Sequence, residues 1–164
     1  MSKTSTTSAT VPVLTLVEGI KVSGAKRFVA SESFTQENGF YLWNNFKKYF
    51  LNKVEENILD TTLAIHRLEK RSLDDQIRKE LGQEHEEIAL DHCFDLLKNQ
   101  SKGQVGLLLT DGCFKIAYIK GNDDKLWAVY AYWLSDDRYW HVDAYSVEYP
   151  SDWIGGDLVV SRDC

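Results

Sequence analysis

His141 and Asp143 are the pair of residues in this sequence best suited to act together chemically. They are two positions apart in a predicted strand, so their side chains project from the same face, about 7 Å apart. A histidine within reach of a proton can act as a general acid or base, and a nearby carboxylate can orient its ring. His141 and Asp143 are therefore the candidate catalytic residues, with Tyr130 or Tyr132 as a hydrogen-bond donor.

Other kinds of reactive site find little support in the sequence. His85 and His92 are seven residues apart, about 10 Å along a helix, which is too far to share one metal ion. Cys93 falls on the apolar face of a predicted helix, and Cys113 begins a predicted strand, where buried thiols are usually inert. No glycine-rich phosphate loop is present. We therefore predict neither a metal site nor a cofactor.

Two turns organise the carboxyl-terminal part of the chain into β structure. Residues 121–124 and 135–138 are rich in Gly, Asn, Asp and Ser, which are typical turn formers. They separate apolar segments with strand-like alternation. The predicted strands are residues 113–120, 125–134, 139–147 and 157–161. If each turn is a four-residue loop, Lys120 pairs with Lys125 and Leu134 pairs with Tyr139.

This register sorts the side chains onto two faces. One face is entirely apolar or aromatic and is predicted to be the core, covered by helices. Its members are Phe114, Ile116, Tyr118, Trp127, Val129, Ala131, Trp133, Trp140, Val142 and Ala144. In particular, the three tryptophans should all point toward the helical side.

The opposite face carries an unusual number of tyrosines. There Tyr132 is predicted to face His141, and Tyr130 to face Asp143. Tyrosine combines a large contact area with a polar tip and is enriched where partners bind. The candidate binding residues are Tyr130, Tyr132, Tyr139, His141 and Tyr145. The alternative is that the tyrosines are structural and that residues 11–34 cover them.

The amino-terminal part of the chain is charged and mostly helical in pattern. Helices are predicted over residues 46–54, over residues 73–81 with Ser72 as the N-cap, and over residues 83–99. The last of these would carry an acidic stripe of Glu84, Glu87, Asp91 and Asp95. Residues 61–68 fit either a strand or a helix, and two threonines favour the strand.

Together these elements predict an α+β fold. An antiparallel β-meander of about four strands in the C-terminal part would pack on helices from the N-terminal part. Residues 1–10, which are small and hydroxylated, are predicted to be a flexible tail, and residues 11–164 a single domain.

Composition limits the partners and the compartment. The 164 residues carry a net charge of −6, which disfavours direct binding to nucleic acid because phosphate contacts need clustered Lys and Arg. The longest apolar stretches are far shorter than the roughly 20 residues that span a bilayer, so we predict no membrane contact. Three cysteines without close pairing fit a reducing cytoplasm.

Several stretches resemble a family of short bacterial proteins of unknown function. They are residues 72–75, 80–82, 107–112, 140–148 and 153–162. The resemblance implies a prokaryotic or phage setting, and it implies no activity, cofactor or catalytic residue.

Three functions are compatible with these features. The first is a small acidic binding or regulatory protein, such as an inhibitor or adaptor, that docks a protein partner with a basic surface through the tyrosines. The second is an enzyme acting on a small polar molecule through His141 and Asp143. The third is a self-associating structural domain in which the tyrosine face is a homodimer contact. The missing catalytic motifs favour the first.

Overall fold

A mixed seven-stranded β-sheet dominates the fold, which is 19% helical and 40% strand. The computed structural model describes residues 11–104, 106, 108, 111–149 and 151–163. The tail predicted for residues 1–10 lies outside these ranges. The prediction of a four-stranded meander packed on N-terminal helices is wrong, because N-terminal segments enter the same sheet as strands.

The described residues form eleven strands and four helices. The strands are β1 (Leu14–Val22), β2 (Arg27–Val29), β3 (Phe40–Leu42), β4 (Val54–Glu56), β5 (Thr61–Leu68), β6 (Ser72–Leu73), β7 (Lys115–Lys120), β8 (Leu126–Leu134), β9 (Tyr139–Ser146), β10 (Asp152–Trp153) and β11 (Leu158–Arg162). The helices are α1 (Ala30–Ser33), α2 (Asn44–Phe50), α3 (Asp74–Leu81) and α4 (Leu90–Lys98).

The large sheet has the order β1-β5-β11-β7-β8-β9-β3. Strands β7, β8 and β9 are joined by two antiparallel hairpins at its centre. Strand β11 inserts between β5 and β7 and runs parallel to β7, while β3 pairs in parallel with β9 at one edge. The remaining strands form two small antiparallel pairs, β2 with β4 and β6 with β10.

The register of the second hairpin is confirmed, and that of the first is wrong by one residue. Leu134 pairs with Tyr139 as predicted. Lys120, however, pairs with Leu126 instead of Lys125. The loop is longer because Asp124 adopts a left-handed conformation, φ 63°, and Gly121 donates its N–H to the Lys125 carbonyl.

This shift moves one strand's side chains to the other face of the sheet. Phe114, Ile116 and Tyr118 leave the face of the tryptophans, and Lys115, Ala117 and Ile119 take their place. Trp127, Trp133 and Trp140 all pack in one core with residues of α1, α2 and α4, as predicted.

Each face of the sheet carries a hydrophobic core. A second core on the opposite side contains Ile77 of α3, Tyr118 of β7 and Trp153 of β10. Antiparallel sheets often leave one face in water, and the sequence left open whether the tyrosine face binds a partner or is covered by residues 11–34. In this protein α3 and the β6–β10 pair bury part of that face.

The predicted helices are shorter than expected, and the reasons are local. Helix α2 ends at Phe50, and the chain enters β4 at Val54. Ser72 lies in β6, where its hydroxyl donates to the Lys70 carbonyl instead of capping α3. Residues 61–68 form the favoured strand, β5.

The predicted helix over residues 83–99 is reduced to α4. Before it, Ile88 donates its N–H to the Tyr118 carbonyl of β7, which holds this segment against the sheet. The first two amides of α4, those of Leu90 and Asp91, donate to the Glu55 carboxylate. The predicted acidic stripe is therefore broken: Glu84 and Glu87 precede the helix, and Asp91 is buried.

A buried carboxylate ties together the layers on the α3 side. Asp74, the first residue of α3, is fully buried, and its Oδ1 accepts hydrogen bonds from the Tyr118 hydroxyl at 2.8 Å and the Trp153 indole at 2.7 Å. Its Oδ2 accepts the Ser151 N–H at 2.8 Å. Three elements distant in sequence thus converge on one side chain.

We expect Asp74→Ala to lower the free energy of unfolding by about 3–5 kcal/mol, because two buried donors lose their acceptor at about 1–3 kcal/mol each and the half-buried Ser151 N–H loses a smaller contribution. Urea denaturation measures the change. Asp75→Ala is the matched control, since Asp75 is the exposed neighbour in the same helical turn and should cost about 0.5 kcal/mol. Equal losses in the two variants would contradict a central role for Asp74.

Candidate functional site

Aromatic rings form a continuous group on the side of the sheet opposite the tryptophan core. We call this group the aromatic face; it comprises Tyr41, Trp43, Phe114, Tyr130, Tyr132, His141, Tyr145 and Trp153. The strands bring the rings together because Tyr41 on β3 and Tyr132 on β8 both pair with His141 on β9. Neighbouring ring centroids along this row lie 4.9 and 5.1 Å apart.

Only part of the aromatic face is covered. Trp153 of β10 packs on Tyr130 and Phe114, with ring centroids 5.5 and 5.8 Å apart, so Tyr130 is buried. The side chains of Tyr41, Trp43 and Tyr145 remain 45%, 41% and 44% exposed. The face is therefore open at Tyr145 on β9 and at Tyr41 and Trp43, on and directly after β3.

Residues 11–34 contribute Val13 and Leu14 to the second core, but most of this segment lies away from the tyrosines. Strand β1 lies at the far edge of the sheet, next to β5. Phe28 and Phe34 pack in the core on the tryptophan side. Among the described residues, the segment that does overlie the tyrosines is β10.

His141 is buried, with an exposed fraction of 4%, and both of its ring nitrogens have partners. The Trp43 indole N–H lies 3.1 Å from Nδ1, and the Asp137 Oδ2 lies 2.8 Å from Nε2. An indole N–H can only donate, so Nδ1 accepts and Nε2 carries the proton that is donated to Asp137. The imidazole is neutral in this arrangement.

Asp143 is half-buried and does not hydrogen-bond to His141. Its Oδ1 accepts the Phe46 N–H of α2 at 3.2 Å. The carboxylate that meets His141 is Asp137, in the turn before β9. The structure thus places His141 and Asp143 on one face as predicted but gives each a different partner.

The predicted tyrosines differ in their accessibility. Tyr145 is exposed, Tyr132 and Tyr139 are half-buried, and Tyr130 lies beneath Trp153. The Tyr139 hydroxyl accepts a hydrogen bond from the Gln36 side chain at 3.1 Å. Burial, with the Tyr145 hydrogen bond and nearby Asp143, raises the pKa of Tyr130, and burial also raises the pKa of Tyr132. Both hydroxyls therefore stay protonated.

Sequence reasoning missed Tyr41, Trp43 and Asp137. The first two follow from the run Phe40-Tyr41-Leu42-Trp43, whose alternation places Phe40 in the core and Tyr41 with Trp43 on the opposite side. This alternation is present in the sequence, but it extends over only these four residues. Nothing local indicates that Asp137 folds back from its turn onto His141.

A second group of polar side chains lines a cavity of about 370 Å³ between β1, β5 and the end of α3. Here the His66 Nε2 lies 2.9 Å from the Ser161 Oγ, between apolar walls that include Leu14 and Leu81. Burial lowers the pKa of His66, and the charges of Glu80 and Asp163 oppose that shift. The imidazole therefore favours its neutral form.

Within the described ranges, no group of three or more His, Cys, Asp or Glu side chains is arranged to hold a metal ion. No helix in those ranges combines the length and apolar character that crossing a bilayer requires. Burial raises the pKa of the Cys93 thiol to about 12 and also raises that of Cys113.

Comparisons with protein-family models, curated proteins and solved structures find no match to this chain.

The first prediction for this site concerns the protonation of His141. Long-range ¹H–¹⁵N correlation spectra should show the proton on Nε2 and none on Nδ1. In Trp43→Phe, which removes the donor to Nδ1, the Nδ1 signal should shift while Nε2 stays protonated. A proton on Nδ1 in the wild-type protein would contradict the hydrogen-bond arrangement.

The lowered pKa of His66 predicts that the folded protein loses stability at acidic pH. Because the folded pKa of His66 is lowered, the unfolded chain binds this proton more readily, and stability falls as the pH drops below about 6.5. His66→Gln should reduce that loss, whereas Ser161→Ala, which keeps the imidazole, should retain it. Urea unfolding between about pH 7 and 5 tests this, and identical curves for wild type and His66→Gln would refute it.

Proposed function

We propose that this protein is a non-catalytic binding protein that docks a protein partner through the open part of the aromatic face. The partner surface is basic, and the role is that of an inhibitor or adaptor. The setting we propose is the cytoplasm of a bacterium, with a bacterial or phage origin, which rests on the resemblance and the unpaired cysteines described above.

The observation that carries this proposal is the exposure of three large aromatic side chains at one edge of the sheet, Tyr41 on β3, Trp43 directly after it and Tyr145 on β9. Tyr41, Trp43 and Tyr145 each leave more than two fifths of their surface open although their neighbours are packed. Aromatic residues of this kind supply much of the binding energy at protein interfaces, since they bury a large area with few rotatable bonds. The β3–β9 pair positions Tyr41 and Tyr145, and the hydrogen bond to His141 positions the Trp43 indole before any partner binds.

Charge supports a basic partner. Asp137 and Asp143 lie on or beside the aromatic face, and Asp137 is paired with a neutral imidazole. Among the described residues, no Lys or Arg nitrogen lies within 4.0 Å of either carboxylate. A partner carrying Lys or Arg would supply the missing countercharge and gain in association rate.

The arrangement of His141 favours docking over acid–base catalysis. A general acid or base must reach a substrate proton. Both His141 nitrogens are occupied by protein groups, and the ring lies between those of Tyr41 and Tyr132. Its role in this proposal is to hold Trp43 and Asp137 in position.

Site-specific photo-crosslinking tests the docking surface. We would place p-benzoylphenylalanine at position 145 and, as a control, at position 59, where Leu59 is 80% exposed outside the aromatic face. After irradiation in lysate of the native host, we expect position 145 to cross-link one protein at a site flanked by Lys or Arg. The yield should fall as salt rises, and position 59 should give none of this product.

Other outcomes separate the alternatives. A cross-link from position 145 only to a second copy of the chain would support the self-associating domain instead. The same products from positions 145 and 59, or none from either, would contradict docking through the aromatic face.

A further inference from the structure

We infer that the partner's anchor is an arginine whose guanidinium binds the Asp143 carboxylate, between two stacked pairs of rings on the aromatic face. This inference rests on the proposed function and specifies the chemistry of its central contact.

Asp143 has an unsatisfied carboxylate oxygen that reaches solvent. Its Oδ1 is fixed by the Phe46 N–H, which leaves Oδ2 without a protein partner among the described residues. Asp143 is half-buried, and Oδ2 is not among the fully buried side-chain atoms that lack a hydrogen bond, so this oxygen keeps some solvent-accessible surface. An external donor can thus bind Oδ2 without displacing the contact that holds the side chain.

The surroundings of Asp143 are aromatic along the strands. On β9, His141 lies two residues before Asp143 and Tyr145 two residues after it. Tyr130 is the cross-strand neighbour of Asp143 on β8. His141 stacks on Tyr132 with centroids 5.1 Å apart, and Tyr145 stacks on Tyr130 with centroids 4.8 Å apart. Asp143 therefore lies along β9 between the two stacked pairs. The three tyrosines of these pairs have hydroxyl oxygens that can accept hydrogen bonds.

Guanidinium suits this site better than ammonium. It is planar, weakly hydrated and carries five N–H donors in a fixed fork, so it can bind a carboxylate and a phenol oxygen together while its plane contacts aromatic rings. A lysine ammonium is a strongly hydrated point charge and would lose more hydration among the rings. The negative charge of Asp143 also contributes to the raised pKa of Tyr130 and Tyr132, so it is felt at both hydroxyls.

Titration of the full chain with three small amides tests the inference. N-acetyl-arginine methylamide carries the guanidinium, N-acetyl-citrulline methylamide is its neutral analogue of the same shape, and N-acetyl-lysine methylamide carries the ammonium. The signal to follow is the Trp43 indole N–H, assigned by its loss in Trp43→Phe. We expect the chemical shift of this N–H to change in a saturable way with the arginine amide. The lysine amide should bind at least fivefold more weakly, and the citrulline amide should cause no change.

Asp143→Asn is the decisive variant, because its Oδ1 can still accept the Phe46 N–H while the charge is lost. We expect at least tenfold weaker binding of the arginine amide, with the unfolding midpoint retained. Asp136→Asn, which neutralises an exposed carboxylate in the neighbouring turn, should bind as wild type does. If Asp143→Asn fails to fold, Asp143→Glu replaces it: the longer side chain keeps the charge, and binding should persist more weakly.

Some results would overturn the arginine anchor, namely equal binding of the arginine and citrulline amides, equal binding of the arginine and lysine amides, or unchanged binding by Asp143→Asn. If cross-linking from position 145 to a basic partner survives alongside any of these, docking stands and the anchor fails. If the arginine amide binds at Asp143 but no protein cross-links there, the site holds a guanidinium and the proposed docking function fails.

Discussion

The Asp74 carboxylate determines how much of the aromatic face is covered. By accepting hydrogen bonds from Tyr118, Trp153 and the Ser151 amide, it fixes α3 and β10 against the sheet. Trp153 then lies over Tyr130 and Phe114. Where this cover stops, at Tyr145 and toward β3, the aromatic side chains emerge into solvent.

The open rings are held by a second set of contacts, centred on His141. Its two nitrogens bind Trp43 and Asp137, and its ring lies between Tyr41 and Tyr132. A histidine used in this way orders its neighbours and has no nitrogen left for substrate. Residue types that suggest catalysis in a sequence can therefore serve to preorganise a surface, which lowers the entropic cost of binding.

Local patterns predicted the second hairpin correctly, and they failed at the turn of the first hairpin and where distant segments met. The hairpin from Leu134 to Tyr139 sets Tyr132 opposite His141, as its turn residues indicated. The other hairpin shifted because the left-handed Asp124 lengthened its loop, which no composition rule for Gly-Asn-Asp-Asp requires. The tyrosines of the site were found because they lie in these hairpins, whereas Tyr41 and Trp43 come from the short β3.

The periodicity of the sequence could not predict that β11 inserts into the middle of the sheet. This insertion affects the order in which the fold assembles. Strand β11 follows all the other described strands in sequence, yet it lies between β5 and β7 near the middle of the sheet. A growing polypeptide cannot join these two halves until residues 158–162 have left the ribosome. We therefore expect assembly to be late and dominated by contacts between distant residues, which slows folding and leaves unpaired strand edges that chaperones can recognise.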